Sequence, residues 1–220
     1  MEVRKIKKSY GRKQVLLDVS FKAQKGQCIG ILGGNGSGKS TLLSILAGVQ
    51  RCGGGEFLYE ETNMLKNSSL RVKKVGYVPQ STPLLEELTA YDNLRLWYEK
   101  DDMKNELATG VLAMLGINEF LKIPVKKMSG GMKKRLSIGC AVAHRPEILL
   151  LDEPSAALDL LCKERIYNYM KDFKNLGGTV ILATHDLQEL PLCDELYILK
   201  NGVLTPYTFD GNIHRLAGSL

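Results

Sequence analysis

Apolar residues in this chain fall into short runs bounded by glycine, proline and charge, and their spacing changes character along the chain. The first 25 residues read as two β segments: "VLLDVSF" is apolar with β-branching, and Gly11-Arg12 marks the turn before it. "QCIGIL" is an apolar run ending in glycines, the pattern of a buried parallel strand. "STLLSILAG" switches to helical spacing and stops at Gly48, whereas "FLYEE" and "VGYVPQ" return to strand patterns. From about 82 to 145 amphipathic helical spacing dominates; Leu107, Val111, Met114 and Leu115 predict one helical face. "EILLLDEP" and "TVILATH" predict two more buried strands. Between them lies a helix with Ile166, Tyr169, Met170 and Phe173 on one face, closed by Gly177-Gly178. "ELYILKNGVLTPY" reads as a hairpin turning at Asn201-Gly202. The simplest organisation is one α/β domain with core regions at about 1–81 and 146–220 and a helical insertion over about 82–145. No internal repeat, low-complexity tract or sustained heptad interrupts it.

At 220 residues the chain is long enough for one good core, and 44% hydrophobic with 25% charged residues is ordinary for a soluble domain. A net charge of +6 leaves nucleotide phosphates, nucleic acid and anionic lipid open as partners. The run "RKIKK" at 4–8 reads as solvated surface. The five cysteines form no CxxC pair or Cys/His ligand spacing, which suits a reduced interior better than a disulfide framework or a zinc site. "MEVRKIKKSY" has no signal-like apolar region, and the longest aliphatic runs, such as "ILLL", are far too short to cross a bilayer. A soluble protein is expected, with any membrane role exerted through a partner.

Candidate chemistry concentrates at predicted strand ends. "GGNGSGKS", Gly33 to Ser40, matches G-x-x-x-x-G-K-[ST] in full and lies between a predicted strand and a predicted helix. Glycines let successive backbone N–H groups face an anion, and the helix N-terminus adds a fixed positive pole. Lys39 would reach the β- and γ-phosphates, Ser40 would ligate Mg²⁺, and Thr41 could add a hydroxyl to the α-phosphate. Asp152 and Glu153 follow four aliphatic residues, so both carboxylates should emerge where ligands gather in a parallel sheet. Asp152 suits the Mg²⁺ shell, and Glu153 suits a general base that orients the attacking water. The bland alternative is an acidic pair capping the next turn before Pro154. His185 and Gln80 each stand just past another predicted strand. Either alone is unremarkable; together they converge on the same rim.

The order of these motifs identifies the chain as similar to an ATP-binding cassette (ABC) transporter nucleotide-binding domain, over essentially its whole length. "GGNGSGKST" resembles the family's Walker A, Gln80 its Q-loop, and "MSGGM" at 128–132 its signature. "ILLLDEP" resembles Walker B, "SAALD" the D-loop, and "THD" the H-loop histidine. The resemblance implies a P-loop NTPase fold: a RecA-like parallel-sheet core, an N-terminal antiparallel β subdomain and an inserted α-helical signature subdomain. It further implies two such domains sandwiching two ATP molecules head to tail. Gly33, Asn35, Gly36, Ser37, Gly38, Lys39, Ser40 and Thr41 would then cradle ATP. Ser129, Gly130 and Gly131 would contact the γ-phosphate held by the opposite subunit, with Asp159 across the interface. His185 would contact the γ-phosphate of its own P-loop, and Tyr10 resembles the aromatic that stacks on adenine. Gln80, Ser40 and Asp152 would surround Mg²⁺, and Gln80 would couple the site to separate transmembrane permease subunits. The expected place is the cytoplasmic face of the cell membrane, with no nucleic acid partner.

Three positions depart from the family pattern: Gly34 stands in place of proline, Met128 in place of leucine, and Met132 in place of the signature glutamine. "SGGMKKR" resembles a form seen in ABC-2-type exporters, which favours export. Independently of the family, Ser129 is a good N-cap, and the helix "MKKRLSIGCAVA" is expected to follow it, with Pro146 stopping any extension. Lys133, Lys134 and Arg135 near its start oppose the helix dipole at ~0.3–1 kcal/mol each. A positive helix start behind Ser-Gly-Gly reads either as a second anion site or as an exposed basic surface. Alternative functions are an importer subunit, a soluble cassette ATPase acting on nucleic acid or ribosomes, or a nucleotide-gated module that does not hydrolyse. Glu153 argues against the last.

Overall fold

The computed structural model describes residues 1–220. β1 (Glu2–Tyr10) and β2 (Lys13–Lys22) form the opening hairpin, and β3 (Cys28–Leu32) leads through the glycine loop into α1 (Lys39–Ala47). β4 (Gly54–Tyr59), β5 (Thr62–Asn63), α2 (Ser68–Lys74) and β6 (Val75–Val78) follow. The helical stretch contains α3 (Ala90–Arg95), α4 (Lys100–Ala108), α5 (Val111–Met114) and α6 (Gly130–Ala141). The chain returns through β7 (Ile148–Asp152), α7 (Leu160–Asn175), β8 (Thr179–Ala183), β9 (Glu195–Lys200) and β10 (Val203–Tyr207) to α8 (Ile213–Ser219).

All strands join one sheet in the order β5-β4-β1-β2-β10-β9-β3-β8-β7-β6. β9, β3, β8, β7 and β6 run parallel, and β5, β4, β1 and β2 are antiparallel. The β9–β10 hairpin links the two regions, turning at Asn201 (φ 51°) and Gly202 (φ 75°), the two left-handed residues of a primed turn. A Cβ at Gly202 would also lie 2.9 Å from Leu17 Cγ, so glycine is required twice over.

Successive strand residues point to opposite faces, and each face has its own core. Ile29, Ile31, Ile148, Leu150 and Ile181 pack with α1 and the antiparallel strands. Cys28, Leu149, Leu151, Val180 and Leu182 pack with α3, α6 and α7. The helical stretch therefore shares its core with the parallel sheet, which fixes α6 relative to the strand ends.

One expectation is corrected. Leu107, Val111, Met114 and Leu115 do not share one helix: the chain breaks at Thr109-Gly110, where Glu106 folds back so that its carboxylate accepts the Val111 N–H at 2.8 Å. A Cβ at Gly110 would meet that carboxylate at 2.1 Å, and the break leaves Met114 exposed while Leu112 and Leu115 are buried. The signature helix α6 ends at Ala141, within two residues of its expected end, with Val142 closing it and Arg145 (φ 52°) reversing the chain.

Candidate active site

The loop between β3 and α1 wraps a buried lysine. Gly36 (φ 77°) and Gly38 (φ 110°) take the left-handed conformation that curls the backbone. Lys39 donates to the Gly33 carbonyl at 2.7 Å and the Gly34 carbonyl at 3.3 Å, filling the cradle with its own cation. Burial pulls the ammonium pKa down, and Glu153 and Asp152 oppose that pull. A Cβ at Gly34 would meet only the Leu220 carbonyl oxygen, at 3.9 Å, so no steric demand sets glycine there.

Asp152 is the last residue of β7 and only 1% exposed, and its Oδ1 has no hydrogen-bond partner. Burial pushes this carboxyl up, with Ser40 the main opposing influence. A buried, incompletely satisfied carboxylate beside a serine hydroxyl is a donor set that fits a hard divalent cation such as Mg²⁺. Glu153 sits at φ 48°, a left-handed conformation that is uncommon for a side chain of this size. Its N–H is anchored on the Ala183 carbonyl at 2.9 Å. Gln80 Nε2 donates to Glu153 Oε2 at 2.9 Å, and His185 Nδ1 lies 3.0 Å from Oε1. Three strand ends thus deliver Gln80, Glu153 and His185 to one cluster. Each carboxylate oxygen keeps a further lone pair for a water.

Ser129 caps α6, its hydroxyl accepting the Met132 N–H at 3.2 Å, and Ser129 and Gly130 are exposed. Gly131 is buried against α7, where a Cβ would come 2.5 Å from Cys162 Sγ. Met132 packs at the edge of the helical core, so its side chain serves packing. Asp159 caps α7, accepting the Cys162 N–H at 2.9 Å. Tyr10 is 47% exposed; its hydroxyl bonds Gln50 beyond the end of α1, and Lys8 Nζ lies 4.9 Å from its ring centroid.

The basic start of α6 is corrected. Lys134 and Arg135 are buried, and only Lys133 faces outward, 3.5 Å from Glu86. Arg135 donates to the Leu115 carbonyl at 2.7 Å and lies 4.9 Å from the Phe120 ring centroid. Lys134 donates to the carbonyls of Pro79 at 3.0 Å and Gln80 at 3.1 Å. The run is therefore no three-cation anion site. Lys134 is a tether to the Gln80 loop that sequence reasoning missed. The same is true of a polar group behind Glu153, in which Lys163 meets Asp186 at 2.5 Å and Ser155 lies 3.4 Å from Asp186.

A family model described as ABC transporter matches residues 16–156. The chain belongs to the ABC transporter family. Those bounds contain the glycine loop, Gln80, the signature and the Asp152-Glu153 pair, and leave out Tyr10, Asp159 and His185. It is 34% identical to the linearmycin resistance ATP-binding protein LnrL of Bacillus subtilis, over 92% of this chain and 67% of that protein. It is 29% identical to the lantibiotic transport ATP-binding protein SrtF of Streptococcus pyogenes, over 96% and 92%. Identity to the methionine import ATP-binding protein MetN of Clostridioides difficile is 34%, over 92% and 66%. A dimeric post-hydrolysis ATP-binding cassette bound to ADP and Pi superposes with a TM-score of 0.82 at 27% identity, covering 94% of this chain and 99% of that one. This ABC protein is an ATP-binding and ATP-hydrolysing cassette on a P-loop NTPase fold.

Proposed function

We propose that this cassette drives export through separate membrane subunits, closing head to tail on ATP with a second cassette. The observation that carries its ATPase assignment is the Gln80–Glu153–His185 cluster beside the Lys39 loop. In this reading the backbone of Gly33, Asn35, Gly36, Ser37 and Gly38 cradles the phosphates, with Thr41 at the α-phosphate. Lys39 exchanges its loop carbonyls for phosphate oxygens. Ser40, Gln80 and Asp152 hold Mg²⁺, which supplies charge neutralisation for the triphosphate. Glu153 orients and deprotonates the attacking water, while Gln80 and His185 hold its two oxygens in place. Tyr10 stacks on adenine after releasing Gln50.

The exposed Ser129 and Gly130, together with Gly131, are offered to the phosphates held by the partner cassette, and Asp159 meets the same interface. Leu160 and Leu161, 75% and 60% exposed beside Asp159, are apolar surface suited to that contact. Leu85, Leu96 and Trp97, each exposed and following Gln80 in the chain, are apolar side chains suited to the permease. No helix is long and apolar enough to cross a membrane. Likeness to ATP-binding proteins of transporters supports a place at the cytoplasmic face, bound to a permease and not to nucleic acid. The resistance role named for LnrL and the lantibiotic transport named for SrtF fit export, and the "SGGMKKR" sequence favours it over the import role named for MetN.

Glu153→Gln tests the reading. Nucleotide affinity should persist, steady-state phosphate release should fall by about 10²–10⁴-fold, and an ATP-bound dimer should accumulate on gel filtration. Turnover at the wild-type rate would refute it.

A further inference from the structure

Glu189 has no part in the chemistry above, yet it is 0% exposed and neither carboxyl oxygen has a hydrogen-bond partner. A buried, unpartnered acid costs stability, so packing alone does not account for it. It lies on the 3-10 turn Leu187–Leu192 and lines a pocket of about 480 Å³ that also receives Glu153, Ser155, Thr184, His185 and Asp186. The pocket separates two segments that matter to the reaction. Ser155 is two residues beyond Glu153, and Thr184 immediately precedes His185.

Both hydroxyl residues are 1% exposed, and their hydroxyls, with a smaller contribution from the Lys163 ammonium, pull the Glu189 carboxyl down against the larger upward effect of burial. Burial thus favours the neutral acid, which can donate one hydrogen bond and accept others. The surroundings are already ordered. Thr184 Oγ1 accepts the Asp186 N–H at 2.9 Å, Tyr167 Oη donates to Ser155 Oγ at 3.3 Å, and Lys163 from α7 fixes Asp186. Glu189 stands in this group with both carboxyl oxygens unpartnered.

We propose that Glu189 is a positioning residue of the ATPase, a polar wedge between the Glu153 loop and the His185 loop that takes the Ser155 or Thr184 hydroxyl when those loops adjust to nucleotide. The inference rests on the assignment of Glu153 and His185 made above. Being unpartnered in the resting fold, the wedge separates stability from catalysis, because removing an unsatisfied buried acid should not weaken the fold.

The test compares Glu189→Leu and Glu189→Gln in ATP turnover by the whole cassette. Leucine keeps the bulk without the hydrogen bonds and should lower kcat by about 10-fold or more, in the range typical of outer hydrogen-bond partners. KM for ATP should stay within about 2-fold of wild type and the melting temperature should be equal or higher. Glutamine can still hydrogen-bond and should restore kcat to within about 2-fold of wild type. In the His185→Ala background, Glu189→Leu should cost little more than His185→Ala alone, since both act on one arrangement. Wild-type kcat in Glu189→Leu, equal damage from glutamine and leucine, or a joint loss of kcat, KM and melting temperature each overturns the wedge. Should Glu189→Leu not accumulate as folded protein, the double variant Ser155→Ala/Thr184→Val removes both candidate partner hydroxyls; a wild-type kcat there overturns it equally. Glu153→Gln in the same assay separates the two readings. If it turns over normally the site assignment fails, and if it is inactive while Glu189→Leu is unimpaired only the wedge fails.

Discussion

Lys134→Met removes the tether between the signature helix and the Gln80 loop while keeping the side chain's apolar length. Lys134 is 5% exposed and donates to the Pro79 and Gln80 carbonyls at 3.0 and 3.1 Å. A hydrogen bond from a charged donor contributes about 1.5–3 kcal/mol, but this ammonium is desolvated. Burial draws its pKa down, with Asp152, Glu153 and Glu189 opposing. Gln80 is exposed, so its carbonyl can rehydrate once the lysine is gone. The net loss should therefore lie near the lower end, about 1–2 kcal/mol. For a chain of this size that lowers the melting temperature by about 2–8 °C. The same 1–2 kcal/mol, acting on the placement of Gln80 against Glu153, is a factor of about 5–30 in the population of the aligned loop. Thermal unfolding without nucleotide and phosphate release at saturating ATP measure the two effects separately. An unchanged melting temperature and kcat would show that the two bonds carry nothing. A lower melting temperature with wild-type kcat would make Lys134 a staple of the fold with no link to the site.

Gly130 and Gly131 should separate function from packing. A Cβ at Gly130 meets only Leu158, at 4.0 Å, so Gly130→Ala should keep the wild-type melting temperature while reducing ATP-dependent dimerisation; unimpaired dimerisation refutes the surface reading. Gly131→Ala drives a Cβ to 2.5 Å from Cys162 Sγ and should cost about 1–3 kcal/mol in urea unfolding, and a neutral result would show that α7 yields freely. For Lys163→Met the expectation is a pH signature. Burial raises the Asp186 carboxyl, yet the Lys163 ammonium, the Gln188 N–H and the Ser155 hydroxyl together outweigh it and hold the group below its ordinary value. Stability from the pair is thus complete above an aspartate pKa of about 3.9 and disappears as pH falls through the lower folded value. The urea-unfolding gap between wild type and Lys163→Met should be constant from about pH 5 to 7 and close below about pH 4. A gap that persists under acid contradicts the ion-pair account.

The parts of this fold that are legible in sequence are those with a local code. The glycine loop, the strand-end carboxylates and the Asn201-Gly202 hairpin are written in consecutive residues, and the structure places each at the expected element boundary. Helical faces were harder. The spacing of Leu107 to Leu115 fits one helix, but periodicity says nothing about Glu106 folding back to end it at Gly110. In α6 the difficulty is different. From Lys134 to Cys140 every residue is buried, so the helix has no polar stripe to reveal which way a cation points. Lys134 and Arg135 look like surface charges in sequence because their partners are backbone carbonyls, which carry no sequence identity. Glu189 is hidden for the related reason that an acid three residues after Asp186 looks like solvated turn chemistry.

The two orientations found on α6 explain how an exposed half-site can be tied to chemistry elsewhere. Ser129 and Gly130 face outward, Gly131 is held against Cys162, and Lys134 reaches back to the Gln80 carbonyl. Ser129 and Lys134 are five residues apart, about 7.5 Å along a helix whose first two residues are Gly130 and Gly131, the second held against Cys162. A displacement that moves α6 as a body would be transmitted to the Gln80 backbone, and Gln80 in turn holds a Glu153 oxygen at 2.9 Å. Spatial succession alone does not make a pathway; what gives this one physical content is that each link is a discrete bond that one substitution can cut. Anion capture at Ser129 and Gly130 by a partner cassette should bias the placement of Glu153 only while Lys134 is present. The signature and the general base would then act as one unit, and the lysine buried between them sets the strength of the connection.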